Sequence, residues 1–199
     1  GTATFMIAGH ACTRGCRFCA VDTVKTPAQL DPNEPSNLAE AITRMGLSHA
    51  VITVVNRDDL PDGGAQHYRN CIMEVHKRSP EVGLELLCSD LDGNLEALAA
   101  LLYELPLNVF AHNVECVPRL DPIVRDPRAS FTQSLRILSE ASYLRPDLKI
   151  KSSLMVGLGE TDLEVVDAMR LLKDAGVQMI TIGPVSYTHL RAHETRIHL

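Results

Sequence analysis

Short apolar runs recur along the chain, and longer stretches with helical spacing lie between them. TFMIAG (4–9), AVITVV (50–55), GLELLC (83–88), NVFAHN (108–113), KIKSSLMVG (149–157) and MITIG (179–183) read as strands. AVITVV has no polar alternation, the pattern of a strand covered on both faces. Leu38, Ile42 and Met45 share one helical face, and Gly46 stands where a left-handed C-terminal glycine belongs. Residues 64–79 read as a second helix stopping before Pro80. Leu95, Leu98, Leu101, Leu102 and Leu105 mark a third, and 130–144 a fourth ending ahead of Pro146. Thr161 and Glu164 have capping-box spacing for a fifth, closed by Lys173 and Gly176. Strands separated by ordinary helices give βα units and a parallel sheet, so the fold class expected is α/β. An open or partial barrel fits the pattern as well as a doubly wound sheet does.

The rhythm breaks in the last fifteen residues, VSYTHLRAHETRIHL, which hold three of the eight histidines and no apolar face. They resemble an adapter-derived translation rather than native protein, so the expected organisation is a core over 1–184 and a foreign tail over 185–199. Gly1 leads directly into a strand-like run, which reads as the start of a fragment.

Composition narrows the class. The 199 residues are 45% hydrophobic but only 4% aromatic, with no tryptophan, so Leu, Ile, Val, Met and Ala must build the core of one domain. A formal charge of -6 without any basic run argues against nucleic acid as partner. No apolar stretch approaches the ~20 residues of a membrane span, and no secretory leader precedes the first cysteines. The expected location is the cytoplasm, where clustered thiols bind metal more often than they pair.

In parallel βα architectures, ligands bind at the C-terminal ends of the strands. The residues that follow each expected strand are polar: His10 and Cys12, Cys16 and Cys19; Asn56, Arg57, Asp58 and Asp59; Ser89 and Asp90; His112, Asn113 and Glu115; and GLGE (157–160). Ser89 and Asp90 also suit a plain solvated loop. Lys151 and Glu115 do not, because they sit within apolar strand sequence, where a charge must be paired or used. GLGE matches no dinucleotide or phosphate loop and reads as turn geometry.

Cys12, Cys16 and Cys19 put three thiols into eight residues (CTRGCRFC), with no fourth nearby. Structural zinc takes four closed ligands. Three thiolates on one loop can instead hold three irons of an iron–sulfur cube and leave the fourth iron open. Two other readings remain: a zinc staple with His10 as fourth ligand, and a redox dithiol of Cys16 and Cys19. Cys71 and Cys88 read as small buried hydrophobes, and Cys116 lies beside the polar rim.

A Cys-x-x-x-Cys-x-x-Cys loop after the first strand, with Phe18 before the last cysteine, resembles the radical S-adenosylmethionine superfamily. GTATFMIAGHACTRGCRFCAV, VITVVNRDDLPDGGA, HNVECVPRL and KSSLMVGLGET together resemble the lipoyl synthase family over residues 1 to about 183. Val54, Ser153 and Cys116 depart from that pattern, where Ser, Gly and Thr are expected. The resemblance implies a partial (β/α)6 TIM-like barrel truncated after its sixth strand, with Cys12, Cys16 and Cys19 ligating a 4Fe–4S cluster. It implies S-adenosylmethionine on the open iron, held by Phe18, Arg57, Asp58, Asn113, Glu115, Lys151 and Ser152. It also implies sulfur insertion at C6 and C8 of an octanoyl-lysine on a lipoyl carrier domain, with a ferredoxin- or flavodoxin-type electron donor. The sulfur would come from a second, auxiliary 4Fe–4S cluster whose ligands lie outside this stretch. A biotin-synthase-like sulfur inserter is the enzymatic alternative, and a zinc-stapled binding domain the non-enzymatic one. A barrel ending at the sixth strand also leaves an apolar flank to cover, and with it a tendency to aggregate.

Overall fold

The structure is a computed structural model and describes residues 1–184; the expected foreign tail over 185–199 lies outside the described residues. Six strands form one parallel sheet: β1 (Thr2–Ile7), β4 (His49–Val54), β5 (Gly83–Leu87), β6 (Val109–Ala111), β7 (Lys149–Val156) and β8 (Met179–Pro184). Spatial order follows chain order, so every crossover joins adjacent strands, as in a barrel and unlike a doubly wound sheet. Among the described residues β1 and β8 do not pair, and the barrel is partial.

The crossovers carry α1 (Glu34–Met45), α2 (Ala65–Arg78), α3 (Leu95–Leu102), α5 (Phe131–Leu144) and α6 (Asp162–Asp174). A one-turn α4 (Asp121–Val124) precedes α5. Two elements escaped the apolar pattern, β2 (Ala11–Cys12) and β3 (Asp22–Thr23). At two residues each they are too short for periodicity, and only their mutual pairing makes them strands.

The core lies between sheet and helices. Ile52, Leu86, Phe110 and Leu154 of the strands meet Ile42, Tyr68, Leu98 and Ile137 of the helices, all essentially buried. On α1, Leu38 and Ile42 face the core as the spacing predicts, but Met45 is 57% exposed. The helix ends there, with Gly46 at φ 58°. Met179 and Ile182 of β8 stay exposed, as does Leu163 of α6, so the flank expected to lack cover is the apolar one.

Helix α6 begins with the expected capping box. Glu164 N–H donates to Thr161 Oγ1 (3.3 Å), and Thr161 N–H donates to the Glu164 carboxylate (2.8 Å). Thr161→Ala removes one acceptor for the helix's orphan N–H groups and is expected to destabilise the chain by about 1 kcal/mol in urea denaturation.

Candidate functional site

A cavity of about 340 Å³ opens where the strands end. Its floor comes from Met6, Thr53, Val54 and Leu87, at the C-terminal ends of β1, β4 and β5. Its walls carry Cys12, Cys16, Cys19 and Phe18 from the loop after β1, and Asn113 and Glu115 from the segment after β6. The three thiols, the aromatic and six of the polar rim residues expected from sequence (Asn56, Ser89, Asp90, His112, Asn113 and Glu115) thus share one chamber.

The loop is held at its start by charge. Ala8 has φ 68° and Gly9 φ 99°, so the chain turns through left-handed backbone that a non-glycine residue resists. Ala8 N–H donates to Glu34 Oε2 (2.9 Å), and Arg57 Nη1 donates to the Ala8 carbonyl (3.0 Å). Arg57 is 2% exposed and its remaining donors go to Asp59 and the Ala28 carbonyl. It lies outside the cavity lining, behind the loop.

Further along, Arg14 enters a nest of carboxylates. It forks onto Asp58 (2.8 Å from Nη2), reaches Asp90 (2.6 Å from Nη1) and touches Asp92 (3.2 Å). Asp58 also pairs with Thr13 Oγ1 (2.7 Å), so its carboxylate is spent on the loop's backbone course and does not line the cavity. Burial pushes the Asp90 carboxyl up, but Arg14 and Gln133 outweigh it and hold the group below its ordinary range. On the far side, Gly15 N–H donates to Asp126 (2.9 Å), and Arg128 joins Asp126 to the Thr13 carbonyl. The loop is therefore laced to the segments after β4, β5 and α4.

Two thiols receive backbone donors: Arg14 N–H lies 3.4 Å from Cys12 Sγ, and Asp126 N–H lies 3.3 Å from Cys16 Sγ. Such donors stabilise thiolate over thiol. Burial wins at Cys16, whose thiol is pushed up to about 11.

Lys151 and Ser152 also lie outside the cavity lining. Lys151 Nζ binds Glu85 (2.7 Å), an ion pair from β7 to β5 across the intervening β6. Ser152 is fully buried on the opposite face with Ile150 and Leu154, and its hydroxyl has no partner among the described residues. Alternation along β7 decides this: adjacent residues cannot both face the cavity. The GLGE turn closes on itself, with Glu160 accepting from Gly157 and Leu158 N–H (2.5 and 2.9 Å).

Sequence reasoning placed His112 on the rim but missed Arg14, Cys88 and Arg125 as cavity-lining groups. Arg125 is 7% exposed; Nη1 reaches the Val114 carbonyl (3.2 Å) and both Nη atoms lie 3.1 Å from Ser134 Oγ, but Nε has no partner among the described residues. It follows a one-turn helix without apolar periodicity, so nothing local signalled it. Cys88, expected as mere filling, does line the chamber, while Cys116 is buried beside Asp121 and does not. Glu115 holds φ 68°, and burial raises its carboxyl above the ordinary range.

His112 is read from its neighbours. The Cys88 carbonyl only accepts, so Nδ1 carries the proton (2.8 Å) and Nε2 accepts from Ser134 (2.9 Å). A second proton would face Ser134 and Arg125; burial already drops the imidazole to about 4. The folded pKa lies below the unfolded one, so stability is full above pH ~6.5 and is lost as pH falls toward 4. The loss is expected to be about 3 kcal/mol between pH 7 and 4. Urea melts across that range should show it, with a shallower slope for His112→Asn.

Comparison with known proteins fits this geometry. The family model described as the radical SAM superfamily matches residues 6–187. The chain belongs to the radical SAM superfamily. Lipoyl synthase of Halorhodospira halophila is 51% identical over 183 residues, covering 92% of this chain and 54% of that protein. The mitochondrial lipoyl synthase of Branchiostoma floridae is 50% identical over 196 residues, covering 97% of this chain and 52% of its own length. The chain thus spans about half the length of these curated relatives. Among solved structures, HydG, a maturase of the [FeFe]-hydrogenase, superposes with TM-score 0.68 at 15% identity, covering 92% of this chain and 42% of that one. Native anSMEcpe with bound AdoMet gives 0.67 at 10% identity, covering 94% and 52%. These likenesses show the fold.

Radical SAM membership implies a 4Fe–4S cluster and S-adenosylmethionine, and the chamber suits both. A single zinc would draw its donors to within about 4 Å of one another. Among the described residues the three thiols and His10 are not gathered that closely, and His10 is exposed outside the chamber. An iron–sulfur cube holds its ligands farther apart. The unpartnered Arg125 N–H suits an anionic acceptor, such as an amino-acid carboxylate. Among the described residues no helix is long and apolar enough to cross a membrane.

Proposed function

We propose that this chain carries the radical-generating part of a lipoyl synthase, acting by sulfur insertion at C6 and C8 of an octanoyl-lysine on a lipoyl carrier domain. The observation that carries the reading is the convergence of Cys12, Cys16 and Cys19 on one chamber at the strand ends. The identity of about half to lipoyl synthases supports the substrate class over a biotin-synthase-like alternative.

In this reading the three thiolates hold one 4Fe–4S cluster. That group supplies the electron that cleaves the sulfonium of S-adenosylmethionine. The chain's own residues bind and orient. Asn113 and Glu115 would offer polar partners to the amino and ribose groups, Arg125 would hold the carboxylate, and Phe18 would wall off water. Arg57, Asp58, Lys151 and Ser152, expected to touch the nucleotide, act one step back: Arg57 and Asp58 set the loop, Lys151 neutralises Glu85, and Ser152 packs under the sheet. The floor of Met6, Val54 and Leu87 keeps the chamber dry, as radical chemistry requires. An auxiliary cluster as sulfur source, a ferredoxin- or flavodoxin-type donor and a reducing compartment, cytoplasm or mitochondrion, complete the proposal. The organisation proposed is a catalytic core over 1–184.

Anaerobic reconstitution with iron and sulfide tests it. About four irons per chain and brown colour are expected, and with reductant and S-adenosylmethionine, 5′-deoxyadenosine and methionine. One colourless zinc per chain, or an iron-loaded chain that leaves S-adenosylmethionine intact, would overturn it.

A further inference from the structure

Away from the chamber, α1 and α2 bring a second set of metal-binding side chains together. His67 and Cys71 stand one turn apart on α2, on the face that packs against α1, and Glu34 is the first residue of α1. Cys71 Sγ lies 3.8 Å from His67 Nε2, and His67 Nε2 lies 2.5 Å from Glu34 Oε2. All three donor atoms fall within 4.8 Å of one another, the one such trio of His, Cys, Asp and Glu groups among the described residues. Cys71 is fully buried, His67 is 8% exposed, and the Glu34 side chain opens the set to solvent at 22%.

The imidazole–carboxylate pair alone would account for the His67–Glu34 contact. It does not account for a thiol aimed at the same nitrogen, at a distance where a sulfur hydrogen bond is weak. One sulfur, one nitrogen and one oxygen, each from a different residue, make a donor set that selects thiophilic divalent ions over magnesium or calcium. The spacing nearly matches. Ordinary zinc bond lengths in a tetrahedron put sulfur and nitrogen about 3.6 Å apart, and nitrogen and oxygen about 3.4 Å apart. The sulfur–nitrogen edge is therefore already in place, and the carboxylate must withdraw from the imidazole by about 0.9 Å on the same bond lengths.

We propose that Glu34, His67 and Cys71 form a mononuclear site for a divalent ion of the zinc class, separate from the cysteine-loop chamber and beyond the function proposed above. Binding forms metal–sulfur, metal–nitrogen and metal–oxygen bonds; the Cys71 thiol proton goes to solvent, the proton between His67 Nε2 and Glu34 shifts to His67 Nδ1, and no electron moves. Water or the second Glu34 oxygen fills the fourth position. Glu34 also accepts the Ala8 N–H, which becomes an outer hydrogen bond to a metal ligand. An ion here would tie both helices to the strained backbone at which the cysteine loop begins.

Cobalt(II) is the probe, added to the full chain carrying C12S, C16S and C19S so that the loop thiols do not compete. Expected is one equivalent per chain, with a thiolate-to-cobalt charge-transfer band and tetrahedral visible bands that zinc abolishes. Adding C71A removes the charge-transfer band, and adding H67Q weakens binding by about tenfold or more. Histidine-only binding at His189, His193 and His198 gives no thiolate band. Failure of the charge-transfer band to form, or its persistence in C71A, overturns the site. If circular dichroism shows the triple variant unfolded, cadmium-113 NMR of the cluster-loaded protein decides: a one-sulfur resonance lost in C71A supports the site, and its absence from the parent overturns it.

Discussion

Alanine at any one of Cys12, Cys16 or Cys19 is expected to abolish cleavage of S-adenosylmethionine and to strip most iron from the reconstituted chain. These three thiols reach the chamber from one loop, and two of them receive backbone donors from Arg14 and Asp126. A cube bound through two corners loses a metal–thiolate bond. Cys88 lines the chamber but is fully buried, with its thiol pushed far above the ordinary range by burial and the nearby Asp90, so it is a poor substitute. Cys116→Ala is the matched control, because that thiol is buried outside the chamber beside Asp121. Iron content, visible absorbance and 5′-deoxyadenosine yield should fall to background in the three loop variants and stay near the parent's in Cys116→Ala. Retention of a full cluster in all three loop variants would remove these cysteines from the site.

Arg14→Ala is expected to cost about 3–5 kcal/mol, a large share of the ~5–15 kcal/mol that holds a domain folded. Arg14 is nearly buried and is the main counter-charge for Asp58 and Asp90, whose side chains are 13% and 2% exposed. Removing it leaves two carboxylates facing each other out of water; Arg128 at 3.2 Å reaches Asp58 only from the exposed side. Arg14→Lys should restore little, because one ammonium cannot fork onto Asp58 and still reach Asp90. Equilibrium urea denaturation measures the loss. Adding Asp90→Asn to Arg14→Ala should recover part of it, since an amide carries no stranded charge. If the double variant is less stable than Arg14→Ala, the charge argument fails.

The fold was largely legible because its signals are local. Each of the six sheet strands is a short apolar run, and each longer helix shows 3.6-residue spacing or a cap that few other structures would use. The choice between a barrel and a doubly wound sheet was not legible, because it rests on strand order, which no single element encodes; pairing of each strand with its successor decides it. The site was legible in part for the same reason. Cys12, Cys16, Cys19 and Phe18 sit on one short loop, and Asn113 and Glu115 directly follow a strand, so chain position alone brings them to the rim. Arg57 and Asp58 also follow a strand, and Lys151 and Ser152 lie within one, yet the side chain's direction and its partner send each elsewhere.

The sequence by itself determined the alternation of strand and helix, the three-thiol loop and the rim on which polar groups gather, since these follow from spacing along one segment of chain. Only the tertiary structure decided which charges face the chamber and which are consumed behind it. Arg14 meets Asp58 and Asp90 across 44 and 76 residues of chain. Arg14 and Asp90 line the chamber, yet their charges are spent on each other and on holding the loop, whereas Arg125 Nε has no partner among the described residues.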